Sequence, residues 1–160
     1  DVYKRQGVGS AFGLSYALQD EVRAAVASGE VDATSPIGRL ADDDRVDPRV
    51  VLTAAASGDA DALLATSRVG ATLARVVGVL GSMYDPTRVI VCGAVAESVA
   101  PVIAAAREVV PTELHLPAPE ILASTLGAEV VSIGAVTTAR MAAREVAVPL
   151  LAERRLSAVG

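Results

Sequence analysis

The stretch Asp85-Pro86-Thr87-Arg88-Val89-Ile90-Val91-Cys92-Gly93-Ala94-Val95-Ala96-Glu97-Ser98 reads as a helix stop, a buried strand, a glycine turn and a new helix start. Pro86 cannot continue a helix, because its ring clashes with the preceding turn and it has no N–H to donate. Val89, Ile90 and Val91 form an unalternating β-branched run, the pattern of a strand covered on both faces of a parallel sheet. Gly93 permits a backbone conformation that a side chain would forbid. Apolar, alanine-rich sequence follows for about three helical turns. Ligands of open α/β sheets bind beyond the carboxyl ends of such strands. Cys92, Gly93 and Ala94 are therefore the candidate site residues.

Working outward, residues 60–84 carry helical periodicity, with Asp59 as N-cap and Val69, Leu73, Val76, Leu80 and Met83 as an apolar ridge. Ala71, Ala74, Gly78 and Gly81 make a second face of small residues. Each internal glycine costs about 1 kcal/mol of helix propensity against alanine, so another backbone is expected to approach this face. Asp47-Pro48 opens a shorter helix, with Asp as cap and Pro at the first helical position. Residues 14–28 read as an amphipathic helix. Leu14, Ala17, Leu18, Val22, Ala25 and Val26 line its buried side, and Gln19, Asp20, Glu21 and Arg23 its solvent side. Residues 30–46 read as a loop, and its acidic run Asp42-Asp43-Asp44 as a solvated stretch rather than a metal site.

Downstream, Val99, Val102, Ile103, Ala106, Val109 and Val110 mark a helix packed on the sheet and closed by Pro111. A second strand is expected over residues 119–124. A final helix follows over residues 128–147, so continuously apolar that most of its circumference is expected to be buried. Residues 148–160 read as an amphipathic tail that folds back, and residues 1–13 as a ragged start, with 14–147 forming the domain between them. The lone histidine, His115, reads as a surface residue of a proline-flanked connector, and Gly7-Val8-Gly9 only hints at a phosphate loop.

Composition limits the function classes. The chain has 160 residues, a net charge of −5, one cysteine and only 2% aromatic residues. Its core must come from Ala, Val, Leu and Ile. Phosphate neutralisation needs clustered Lys and Arg, so this segment is not expected to grip nucleic acid itself. A single cysteine excludes an internal disulfide and a cysteine-based zinc site. Apolar runs are interrupted well short of a membrane span, and the expected setting is cytoplasmic.

The order of these features resembles the C-terminal half of the ROK family of repressors, open reading frames and kinases. The matching residues are Ala55-Ala56-Ser57-Gly58-Asp59-Ala60, Asp85-Pro86, the run from Val89 to Ser98, Ser124-Thr125-Leu126-Gly127-Ala128-Glu129, and Ile133-Gly134-Ala135. The resemblance implies an α/β fold: the C-terminal half of an actin-like ATPase (sugar kinase, RNase H-like) domain, with strand–helix units and a long spine helix. It further implies the effector-binding and oligomerisation part of a sugar-responsive transcriptional regulator, or else the nucleotide-side half of an ATP-dependent sugar kinase.

Kinases of that family commonly carry consecutive glycines where this chain has Cys92-Gly93-Ala94, so the single glycine looks more like the repressor branch. The family's catalytic aspartate, sugar contacts and zinc site match no residue here, and no catalytic residue is carried over. A sugar or sugar-phosphate effector, DNA held by a separate module, a homo-oligomer, and ATP with magnesium in the kinase case are what the resemblance implies as partners and cofactors.

Overall fold

Two aspartates set where the helices begin. In the computed structural model, which describes residues 13–42, 46–113 and 118–157, the Asp47 carboxylate accepts from the Arg49 amide at 3.0 Å. The Asp59 carboxylate accepts from the Ala62 amide at 2.9 Å. Each satisfies an amide that the first turn leaves without a helical partner. Helix α1 spans Leu14–Ala27, α2 Pro48–Ala56 and α3 Ala60–Tyr84. Strand β1 (Arg88–Val91), helix α4 (Ala100–Glu113) and strand β2 (Glu120–Ala123) form a parallel crossover unit, and α5 runs Val130–Ser157. Short 3-10 turns occupy Gly38–Asp42, Ala96–Ser98 and Gly127–Glu129.

The architecture overturns the expected fold class. An actin-like half would be built on a sheet of several strands with helices on both faces. Among the described residues only two strands pair, in one small sheet with Arg88 beside Glu120 and Val91 beside Ala123, and the rest of the order is helical. The core lies between helices: Leu18 and Val22 of α1, Val51 and Leu52 of α2, Val69 and Val77 of α3, and Val102 and Val110 of α4. Ile121 ties β2 to it, and Val89 and Val91 pack against its margin. Strand β1 is covered on one face only: Ile90 points away from the helices and is 61% exposed. The unalternating apolar run was a misleading sign, because no described element covers the second face.

Helix α3 has its expected bounds and a different buried face. Ala62, Ala65, Thr66, Val69, Gly70, Ala74, Val77 and Gly81 face inward, whereas Val76 is half exposed and Met83 is 66% exposed. The inward face takes part of each expected stripe, Val69 from the apolar ridge and Ala74 and Gly81 from the small-residue face, and α4 meets it at Gly70, which neither stripe included. A methyl group on Gly70 would stand 2.5 Å from the Ala105 Cβ and 2.9 Å from the Val102 carbonyl oxygen. Gly78 has no such neighbour within 4 Å. Buried Thr66 satisfies its hydroxyl within the helix, donating to the Ala62 and Leu63 carbonyls at 2.9 and 3.1 Å. By length and composition α3 also passes as a candidate membrane span, contrary to the expectation from run lengths. A core helix passes the same criterion, and the inward face of α3 is core here.

Four further expectations fail. Gln19, assigned to the solvent side of α1, is buried. Helix α5, expected to be buried around most of its circumference, exposes every residue from Val131 to Ala147, with Val131 77% exposed. Its apolar character has no counterpart to pack against among the described residues. The helix also continues past Val148 to Ser157 instead of breaking into a tail, and α4 continues past Pro111 to Glu113. Residues 1–12, Asp43, Asp44 and His115, for which expectations were given above, lie outside the described residues.

On the surface, Arg68 of α3 reaches Glu30 at 2.7 Å and Glu21 at 3.9 Å. Hydrogen bonds from Ser28 and then Arg68 hold the Glu30 carboxyl below its ordinary value of 4.5. A lowered folded-state pKa contributes stability above the unfolded value and loses it as pH falls through the folded value. Replacing Glu30 with Gln is therefore expected to flatten the decline in stability below pH 4.5, read from denaturant midpoints across an acid series. An unchanged decline would remove Glu30 from the account.

Two of the three α3 glycines, Gly70 and Gly78, give a sharper contrast. Gly70→Ala is expected to destabilise by about 1–3 kcal/mol through overpacking. Gly78→Ala is expected to stabilise by about 0.5–1 kcal/mol through helix propensity. Thermal unfolding of both variants checks the packing of α3 on α4.

Candidate functional site

The carboxyl ends of β1 and β2 lead into two turns that meet. After Val91 the chain passes through Cys92, Gly93 and Ala94 into the 3-10 turn Ala96–Ser98. After Ala123 it passes through Ser124 and Thr125 into the 3-10 turn Gly127–Glu129. The Ser124 amide donates to the Val91 carbonyl at 2.8 Å, extending the ladder by one step. The Ser124 hydroxyl accepts from the Leu126 amide at 3.1 Å and starts the second turn.

Gly93 holds φ +118°, a conformation that side-chain-bearing residues rarely adopt, and its carbonyl accepts from the Ala96 amide at 3.1 Å. The helix start expected at Glu97-Ser98 is this 3-10 turn, and α4 begins two residues later. Gly127 also has positive φ, +53°. A methyl group there would stand 2.7 Å from the Glu97 Oε1, so the Glu97 carboxylate lies directly against the second turn.

One contact was invisible to local sequence reading. Arg49, at the start of α2, donates from Nη2 to the Ala94 carbonyl at 2.9 Å, across 45 residues of sequence. It anchors the β1 turn to the helix that the Asp47 cap opens. The turn is thus fixed from both sides, by the ladder to β2 and by Arg49.

Of the three candidate site residues, Cys92 is exposed, Gly93 is half-buried and Ala94 is exposed. Nothing lies within 4 Å of the position a Gly93 Cβ would take. The chemistry available there is modest: backbone groups, the free Cys92 thiol, the Ser124 hydroxyl and the exposed carboxylates of Glu97 and Glu129. Among the described residues no group of three His, Cys, Asp or Glu side chains is placed to hold a metal ion.

A groove lies elsewhere, along the α3–α4 contact and the end of α2. This groove of about 720 Å3 is lined by Ala56, Ala60, Leu63, Ser67 and Ala104, with Glu108 as its one charged residue. Comparison with protein-family models found no match for the chain, and comparisons with curated proteins and with solved structures found none either.

The open space at Gly93 separates conformational from steric cost. Gly93→Ala is expected to lower stability by about 1–3 kcal/mol through backbone strain alone. Ala94→Gly, at an exposed position, should change it by about 0.5 kcal/mol or less. Chemical denaturation of the two variants tests this, and a Gly93→Ala variant as stable as the parent would show that the turn relaxes freely.

Proposed function

We propose that this chain is the effector-binding and oligomerisation part of a sugar-responsive transcriptional regulator of the ROK type. The reading rests on the order and spacing of the sequence motifs, and the fold lends it no support. The observation that carries it is the composition and surroundings of the Cys92-Gly93-Ala94 turn. A nucleotide laid against a backbone needs consecutive positions free of side chains, and only Gly93 is free here. The neighbouring Ala94 carbonyl is already engaged by Arg49, and the Glu97 carboxylate lies against the adjoining turn. Fixed negative charge beside such a turn repels phosphates. The net charge of −5 fits a segment that leaves DNA to a separate basic module.

A second reading, the nucleotide-side half of an ATP-dependent sugar kinase, is favoured by one observation: the unfilled space beside Gly93. Calorimetric titration with ATP and magnesium, with and without candidate hexoses, separates the two. The regulator reading expects no saturable ATP binding up to about 1 mM, a free energy weaker than about −4 kcal/mol. Saturable binding that Glu97→Gln strengthens and Gly93→Val abolishes would overturn it in favour of the kinase.

A further inference from the structure

The two edges of the sheet are not alike. In a strand, alternate residues turn their N–H and C=O groups to opposite edges. The Glu120 amide donates to the Thr87 carbonyl at 3.0 Å, and the Ser124 amide to the Val91 carbonyl at 2.8 Å. Val89 and Val91 of β1 and Glu120 and Leu122 of β2 therefore turn their backbone groups into the ladder. Ile121 and Ala123 turn theirs to the outer edge of β2, and Arg88 and Ile90 to the outer edge of β1. The β2 edge is closed: the Ile121 carbonyl accepts from Arg107 at 2.6 Å, and Ile121 is buried. The β1 edge is open. Among the described residues β1 pairs with β2 alone, and its four residues are all exposed or half-buried.

Such an edge presents backbone donors and acceptors in fixed register, and folded proteins ordinarily blunt it with proline, a bulge or a covering element. No proline or glycine interrupts Arg88–Val91. Its one charge is placed to attract. Arg88 donates from Nε to Glu120 at 3.1 Å, and neither of its Nη groups has a partner among the described residues. The side chains beside the edge are apolar on both faces: Ile90 on the uncovered face, and half-buried Val89 and Val91 at the margin of the core. A parallel pair this narrow is marginal by itself, because parallel sheets are ordinarily wider and covered on both faces.

We infer that the outer edge of β1 is a docking site for one extended segment of a partner protein, which adds to the sheet as a third strand. The edge itself specifies the segment. Main-chain hydrogen bonds to Arg88 and Ile90 hold it. A carboxylate side chain meets the free Nη groups of Arg88, and a branched apolar side chain two residues along lies beside Ile90. A second copy of β1 brings arginine and no carboxylate to this edge, so the chain is poorly matched to itself there.

The probe is a blocked, fluorescent peptide of about seven residues, with one aspartate two residues from a central isoleucine and threonines elsewhere. Titrated with the 160-residue chain, it is expected to bind saturably below about 1 mM. At saturation, hydrogen exchange at the Ile90 amide should slow roughly tenfold. N-methylation of the peptide amides that face β1 should abolish binding, whereas methylation of the alternate set should leave it unchanged. Ile90→Pro removes an outward donor without taking a bond from the β1–β2 ladder and should weaken binding roughly tenfold. Arg88→Gln should weaken the aspartate peptide about threefold and leave its asparagine analogue unaffected. The methylated peptides decide the matter on the unaltered chain, whether or not Ile90→Pro folds. Absence of binding at about 1 mM overturns the inference, and so does binding indifferent to which amides are methylated. An Ile90 amide already protected without peptide overturns it too: protection that rises with protein concentration assigns the edge to a second copy, and protection independent of concentration assigns it to a segment of the same chain.

Discussion

The structure depends on how closely α3 and α4 approach each other. Gly70 sits where a methyl group would collide with Ala105 and with the Val102 backbone, so the two helix axes are held nearer than side-chain-bearing residues would permit. With almost no aromatic residues, this core gains its dispersion energy from many short contacts between small side chains rather than from a few large ones. That explains why glycine and alanine, poor contributors of buried area, occupy the inward face of the longest core helix. It also fixes the sheet. Helix α4 connects β1 to β2, its Arg107 donates to the Ile121 carbonyl at 2.6 Å, and Ile121 packs into the core that α3 and α4 share.

What was legible in the sequence was local. Asp47-Pro48, Asp59 and Asp85-Pro86 announce helix boundaries because capping and proline sterics act over one turn, and the helices begin and end there. The first strand was legible from its β-branched run and the second from the short apolar run after Pro119. The inward face of α3 was not, because its larger apolar residues form as regular a stripe as its small ones. Only the presence of α4 against Gly70 fixes which residues turn inward. Fold class failed for a related reason: strand–turn–helix order was read as part of a wide parallel sheet, while the number of strands that actually pair is a tertiary fact.

The candidate site divides in the same way. The glycine turn after β1 follows from Val89, Ile90 and Val91 ending at a glycine, and Gly93 adopts the backbone conformation that glycine permits. The contribution of Arg49 was hidden, since an arginine in the first turn of a distant helix looks like any solvated cation. Its hydrogen bond to Ala94 is nevertheless what joins the turn to the helical body. Glu97, in the segment read as a new helix start, lies instead in a 3-10 turn packed against Gly127.

The bareness of α5 has a consequence for the helix–coil equilibrium. A helix packed in a core owes most of its stability to its neighbours, whereas an unpacked one owes it to propensity alone. Gly134, three valines and two threonines between Val130 and Thr138 all lower that propensity. Left without a covering surface among the described residues, the first half of α5 has little beyond its own weak propensity to hold it helical. Its backbone amides would exchange with solvent at rates close to those of a free peptide, while those of α3 follow global unfolding. Any surface that came to cover α5 would therefore also set how much of it is helix, because its own sequence contributes little toward that order.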